Sequence, residues 1–297
     1  MSGECEEIVY QDRYSDDKKS QLLWRLRPMA YMGIDLHYGW QKRESDSKFP
    51  ARFFSGFFAD ASFKLGFPGD AGLMEDRDWL YSDPDQLTHY SAHDNYIETA
   101  FLFDISIGKS FIPCNGIKLK PFVSYSYMYY LWGARGGSIL YPHYQNPPYT
   151  GNWYDGHEYL GTSGEVITYS QSWNIISPGI SFYGNFNKYF DIELLFKISP
   201  FVWAIAVDNH ILRYTVFTDY IIGGLFIEPA LLFSFKAGSL LTLSYSYSYR
   251  NISHARGDTA VGERGIQTSV GYNCIGAGYS VHRAGIVAKL NLTNQTR

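Results

Sequence analysis

The chain has 297 residues and 34.0 kDa, enough for two ordinary soluble domains or for one large β-barrel. With 26 tyrosines, 20 phenylalanines and 7 tryptophans it is 18% aromatic, and only 18% of it is charged, a mixture that favours strands over helices. The net charge of −4 excludes a strongly basic surface for a phosphate backbone, so nucleic acid is not an expected partner.

Mean hydropathy is −0.21, and no charge-free apolar run reaches the roughly 18 residues that a spanning helix needs. A closed β-barrel is the other way to cross a bilayer, and its signal is alternation within each strand. In chain order, ten strands are expected near 1–10, 20–38, 50–65, 96–109, 118–132, 164–183, 189–203, 213–236, 240–250 and 271–292. In the second, Trp24, Leu26, Met32, Ile34 and Leu36 oppose Arg25, Arg27, Asp35 and His37. In the fourth, Ile97, Phe101, Phe103, Ile105 and Ile107 oppose Glu98, Asp104 and Ser106. In the seventh, Phe190, Ile192, Leu194, Phe196 and Ile198 oppose Asp191, Glu193, Lys197 and Ser199. In the ninth, Leu241, Leu243 and Tyr245, Tyr247, Tyr249 oppose a row of Thr, Ser and Arg250.

A soluble sandwich alternates too, but its strands run about 5 to 6 residues. These candidates are about twice that, the 9 to 11 residues of a tilted membrane strand. Tyr125, Tyr127, Tyr129 and Tyr130 crowd one strand end as in an interfacial girdle. The expected fold is therefore all-β, a ten-stranded antiparallel transmembrane β-barrel forming one domain over 1–297. Connections 66–95, 133–163 and 251–270 are long and odd-numbered, while 184–188 and 237–239 are short, so the long loops share one rim, the extracellular one. The connection 39–49 is longer than a tight turn.

The rim carries the residues suited to chemistry. Asp76 and Asp78 flank Arg77, and Asp208 stands two residues from His210; in an extended segment, residues two apart project the same way. Facing each other across a barrel mouth, the two pairs suit peptide hydrolysis with water as nucleophile. A neutral imidazole takes the water proton, the adjacent carboxylate orients it, and the opposed acids hold the water. Like charges at Asp76 and Asp78 raise one pKa, leaving a protonated carboxyl to donate to the scissile carbonyl. The plainer reading of any single DxD or DxH is a solvated rim. The three cysteines, Cys5, Cys114 and Cys274, form no CxxC motif and leave at least one thiol unpaired.

Several ordered motifs together resemble the omptins, ten-stranded outer-membrane endopeptidases of Gram-negative bacteria. They are Ser20-Gln-Leu-x-Trp24, Met74-x-Asp76-x-Asp78-Trp79, Ala134-Arg-Gly-Gly-Ser138 and Asp208-x-His210-x-x-Arg213-x-x-x-Phe217. The resemblance spans about residues 1 to 292. It implies an aspartic-type endopeptidase in which Asp76 with Asp78 and Asp208 with His210 activate water between them. It also implies cleavage beside basic residues, with the acidic substrate pocket mapping onto Glu7 and onto Ala206, where dibasic-cleaving members carry Asp. Omptins use lipopolysaccharide as an activating lipid, gripped by basic side chains on the outer wall; the matching positions here are Tyr129 and Ser172. No cofactor or metal is expected, the partners are peptide substrates and outer-membrane lipid, and the protein is expected as a monomer with its site facing outside.

Met1-Ser-Gly3 aligns with the middle of the family's first strand. An incomplete first strand, an absent secretion signal and a frayed seam between strands one and ten are the expectations that follow. A non-enzymatic barrel, adhesin or scaffold, is the alternative, motivated by the long loops, by Arg256-Gly-Asp258 and by the missing lipid-binding charges; a porin ranks third, because a ten-strand lumen is narrow and Asp191, Glu193, Lys197 and Arg250 are expected to fill it with ion pairs.

Overall fold

A computed structural model describes residues 1–40, 55–80, 86–114, 116–141, 157–160, 164–238 and 240–290. Among these residues, sixteen strand segments, all paired antiparallel, build a ring. They are β1 (Ser2–Tyr10), β2 (Lys18–Leu26), β3 (Tyr31–Gly39), β4 (Phe57–Gly66), β5 (Gly69–Asp78), β6 (His89–Lys109), β7 (Phe111–Cys114) and β8 (Ile117–Tyr141). The rest are β9 (His157–Leu160), β10 (Glu165–Asn185), β11 (Phe190–Ser199), β12 (Phe201–His210), β13 (Thr215–Ile222), β14 (Phe226–Lys236), β15 (Leu241–Glu263) and β16 (Ile266–Leu290). Short breaks join β2 to β3, β4 to β5, β11 to β12 and β13 to β14 into continuous staves. With β1, β6, β8, β10, β15 and β16 these make ten, each paired to the next, and β1 closes on β16.

The alternation is turned inside out relative to a soluble sandwich. On β11, Leu194, Phe196 and Ile198 face outward and are exposed, while Asp191, Lys197 and Ser199 are buried in the lumen. On β15, Tyr245 and Tyr247 face outward, and Ser244, Ser248 and Arg250 are buried. Oily outside and polar inside is the arrangement that a bilayer imposes on a barrel. This is a ten-stranded transmembrane β-barrel.

Two of the expected alternating rows are broken. Trp24 and Leu26 point inward at 0% and 2% exposure, whereas Met32, Ile34 and Leu36 point outward. The irregular residues 27–30, which include Pro28, swap the face between β2 and β3. A bulge between Ile97 and Thr99 does the same on β6, leaving Ile97 buried and Ile105 and Ile107 outside.

The strands are also taller than alternation predicts. Residues 69–78, 89–95, 133–141, 251–263 and 266–270, expected as loops, are strand. Above the lipid there is no longer an oily face to mark the period, but backbone groups pair as before. Expected strand residues 50–54, and 41–49 of the connection before them, lie outside the described residues, as do 142–156.

The seam is sound above and open below. Ser2 to Val9 of β1 pairs with His282 to Ile275 of β16. Lower down, β3 pairs with β4 and residues 283–290 of β16 pair with β15, and among the described residues neither pairs with the other. The Tyr31 hydroxyl bridges the gap to the Ala284 carbonyl at 3.1 Å.

Inside, the lumen is filled. Trp24 stacks on Tyr169 at 5.2 Å between centroids, Trp132 packs against both, and Tyr130 joins Trp132 to Tyr279 through a 2.8 Å hydroxyl contact. Nearer the lower rim, Arg250 holds Asp104 at 2.7 Å and Glu228 at 2.8 Å, with Lys197 3.1 Å from Glu228. Arg283 also hydrogen-bonds Glu228. These ion pairs among Lys197, Arg250 and their partners are the lumen filling that Asp191, Glu193, Lys197 and Arg250 were expected to form, though Asp191 and Glu193 instead pair with Lys236 and Lys120.

Candidate active site

The floor of aromatic rings leaves a mouth at the upper end, and two strand ends place acids in it. On β5 the even positions face inward, which sends Met74, Asp76 and Asp78 to the lumen and Glu75 and Arg77 outward. Glu75 pins the strand from outside, accepting from Arg25 of β2 at 2.8 Å, from Arg77 at 3.0 Å and from the Tyr90 hydroxyl of β6 at 3.0 Å. Above it, the Trp79 amide donates to the Lys19 carbonyl, and the Thr88 hydroxyl donates to the Asp78 carbonyl at 2.9 Å. Asp76 and Asp78 thus end a strand and do not hang in a loop.

Asp208 and His210 end β12 in the same way, paired on one side with Tyr169 and Ile167 of β10 and on the other with Phe217 and Thr215 of β13. The hairpin that follows is tight: a single 3-10 turn, Ile211–Arg213, and then Tyr214 at φ 54. The His210 Nε2 lies 2.7 Å from the Asp208 carboxylate, and the Phe217 ring meets the imidazole edge-on at 5.5 Å. With Asp208 accepting the Nε2 proton, the neutral ring keeps its lone pair on Nδ1.

The two pairs meet. Asp76 lies within electrostatic range of Asp78, His210, Asp208 and Arg213 together. Burial first, and then the like charge of Asp78, push the Asp76 pKa up to about 8, against the pull of His210. Burial raises Asp78 as well, opposed by a hydrogen bond from Ser20 and by the charges of His89, Arg213 and His210. For His210, burial works downward, but the charge and hydrogen bond of Asp208, helped by Asp76 and opposed by Arg213, leave its pKa above the ordinary value. A carboxyl that burial and Asp78 favour in its protonated form and an imidazole bonded to Asp208 thus share one end of the barrel.

Sequence reasoning assigned no role to Ser20, His89 or Arg213. The Ser20 hydroxyl lies 3.4 Å from Asp76 and stands opposite Asp78 in the strand register, so its one proton is within reach of either acid. His89 sits opposite Asp78 in the strand register, contacts the Thr88 hydroxyl at 2.9 Å and meets Tyr141 edge-on, and burial lowers its pKa. Arg213 reaches the Tyr141 hydroxyl at 3.4 Å. Ser20 and Arg213 do fall inside the motifs quoted above; His89 carries no such signal.

Glu7 is 2% exposed on the inner face of β1, and the field at its carboxyl comes from Asp219, Asp208 and Asp76. Ala206 is fully buried two residues below Asp208. Tyr129 and Ser172 are neighbours across β8 and β10 on the outer wall, where the Ser172 hydroxyl donates to the Ile205 carbonyl at 3.1 Å. Arg256-Gly257-Asp258 is part of β15 and not a presented loop. Its arginine lies 3.7 Å over the Tyr10 ring and pairs with Asp16 at 2.8 Å, and its aspartate accepts from the Asn273 amide at 2.8 Å. Cys5 and Cys274 are free thiols. Among the described residues, no three His, Cys, Asp or Glu side chains are grouped to hold a metal ion.

Fold and mouth together define a transmembrane β-barrel of ten staves that carries an acid pair opposite an acid–imidazole pair at one end. The sequence signature of the omptin family matches residues 1–289, and the chain belongs to that family. The plasminogen activator of Yersinia pestis is 23% identical over 281 residues, which cover 94% of this chain and 82% of that protein. The crystal structure of the outer membrane protease OmpT from Escherichia coli shares the fold, with a TM-score of 0.82 at 20% identity, over 98% of this chain and 93% of that one.

Proposed function

We propose that the protein is a cell-surface endopeptidase of the outer membrane, hydrolysing peptide bonds beside basic residues with a water held between Asp208–His210 and Asp76–Asp78. The observation that carries this reading is the convergence at one mouth of His210, bonded to Asp208, with Asp76 within its electrostatic range. His210 accepts the water proton at Nδ1 while Asp208 stabilises the imidazolium. The hydroxide attacks the carbonyl carbon; Asp76, protonated at neutral pH, donates to the developing oxyanion. His210 then returns its proton to the leaving amine as the C–N bond breaks. The Glu7 carboxylate on the neighbouring wall is the substrate-binding acid. No resident cofactor is required by these steps. The mouth faces the outside, the outer wall contacts outer-membrane lipid, and the barrel acts as a monomer.

The test is cleavage of a mixed-sequence peptide library by the refolded barrel. Asp208→Ala and His210→Ala should abolish cleavage while leaving the fold, read by circular dichroism and heat-modifiable gel mobility, intact. Undiminished cleavage by either variant rejects the mechanism, and no cleavage by the unsubstituted protein in any lipid favours the scaffold reading.

A further inference from the structure

At the level of the mouth the staves follow one another as β1, β2, β5, β6, β8, β10, β12, β13, β15 and β16. Two arcs of wall therefore separate Asp76 and Asp78 on β5 from Asp208 and His210 on β12. One arc runs through β2 and β1 and carries Glu7, the acid assigned above to the substrate. The other runs through β6, β8 and β10. A peptide held between the two pairs with one side chain toward Glu7 lays its other half against this second arc.

The second arc has the opposite character. His89 of β6 faces inward beside Asp78, with its Nδ1 2.9 Å from the Thr88 hydroxyl. That hydroxyl donates its proton to the Asp78 carbonyl, so His89 Nδ1 is the donor to Thr88 and the ring is held in one orientation. Tyr141 of β8 meets this ring edge-on at 4.7 Å. The Tyr141 oxygen accepts from Arg213 at 3.4 Å, and Arg213 closes the single turn between β12 and β13, just before Tyr214 at φ 54.

The Arg213 charge acts on Asp76, Asp78, His89, His210 and Tyr141 together. Among the described residues, however, no carboxylate pairs with it; its hydrogen bond is to Tyr141. Burial raises Asp76 and Asp78 toward their neutral forms, so they do not cancel the guanidinium. The Tyr141 hydroxyl, with its oxygen engaged by Arg213, still has its own proton to give. A guanidinium and a hydroxyl proton thus converge on one rim of the mouth, against the His89 ring, and a carboxylate accepts from both at once. We propose that Arg213 and Tyr141 form a second substrate subsite, which takes an aspartate or glutamate side chain on the far side of the cleaved bond from the residue held by Glu7. This rests on the peptidase reading above and extends it from one side of the cleaved bond to both.

The experiment reads binding and not cleavage. The full-length His210→Ala barrel, refolded in detergent with outer-membrane lipid, is titrated with two peptides of one sequence, each bearing a single arginine. The residue after the arginine is glutamate in one and glutamine in the other, which keeps the shape and loses the charge. The glutamate peptide should bind more tightly by about three- to tenfold at low salt, and the advantage should shrink as salt is raised. Arg213→Gln in the same background should remove the preference while affinity for the glutamine peptide stays as it was. Tyr141→Phe, which keeps the ring against His89 and loses the hydroxyl, should remove part of it. No preference in the parent, a preference indifferent to salt, or one that survives Arg213→Gln overturns the proposal. Equal weakening of both peptides by Arg213→Gln overturns it too, since Arg213 then only shapes the turn. Should Arg213→Gln fail to refold, the salt series on the parent and Tyr141→Phe decide, and an unchanged preference in either overturns the subsite. Failed hydrolysis by the unsubstituted protein would reject the peptidase reading and leave this binding result standing.

Discussion

His210 receives opposing influences from its surroundings, burial favouring the neutral ring and Asp208 favouring the charged one, and Asp208 prevails. The proposed base must be neutral and the proposed acid, Asp76, must be protonated. Activity should therefore fall as pH drops and His210 gains a proton, and fall again as pH rises through about 8 and Asp76 loses one. Asp78 raises Asp76 by like charge, so Asp78→Asn should move the alkaline limb of kcat/KM to lower pH; a limb that stays put means that Asp76 is not the group being read. Asp208→Asn, which keeps the shape but spoils the imidazole orientation, should lower kcat by roughly 10³ to 10⁴ with KM little changed. The pairing within Asp208-x-His210 and within Asp76-x-Asp78 is legible in the sequence, because any strand puts i and i+2 on one face. The position of Asp219 opposite Ala206 is not, because it depends on the register of the neighbouring strand.

At the level of elements, the Ala134–Ser138 motif earns a physical reading from β8. Gly136 and Gly137 have φ of 57 and 86, and a Cβ on Gly137 would lie 1.9 Å from the Ala92 carbonyl oxygen. The pairing of β6 with β8 shifts register there, between Ala92 and Asp94, and the Gly136 carbonyl meets His93 Nδ1 at 2.6 Å. Gly137→Ala should thus force the two walls apart beside the mouth. The expected outcome is a loss of stability of about 1 to 3 kcal/mol or more in denaturant unfolding, with cleavage reduced at the same time. The upper wall itself was poorly legible. Residues 69–78 and 251–263 lack the oily row that marks a lipid-facing strand, so they look like loops until their partners are known.

Across the whole molecule, the rings of Trp24, Trp132 and Tyr169 and the ion cluster around Arg250 fill the lumen in layers, which leaves no support for an open pore. Planar-bilayer recordings should show no steady single-channel conductance. Arg250 is 1% exposed between Asp104 and Glu228, so Arg250→Ala removes the central charge of a buried cluster and leaves only Lys197 and Arg283 to offset the two carboxylates. It should destabilise the barrel by about 3 to 5 kcal/mol, read as a lower denaturant midpoint, without changing cleavage preference. On the outer wall, Tyr129 and Ser172 offer no charge to a lipid phosphate. Adding lipopolysaccharide to the detergent-solubilised enzyme should accordingly leave its cleavage rate unchanged; a strong rise would locate the lipid contact elsewhere on the wall.

Composition, strand length and period-two alternation by themselves pointed to a barrel, because that pattern is local and four segments carry it, whereas which face of each strand is turned outward came from the structure. They also brought each acid to its nearest partner along the strand. Only the tertiary structure decided that residues 76 and 210 share one mouth, that the face of β2 reverses before β3, and that Asp219 lies opposite Ala206. Those facts depend on register and curvature between distant strands, and the energy of a closed ring of hydrogen bonds sets them, not the preference of any one segment.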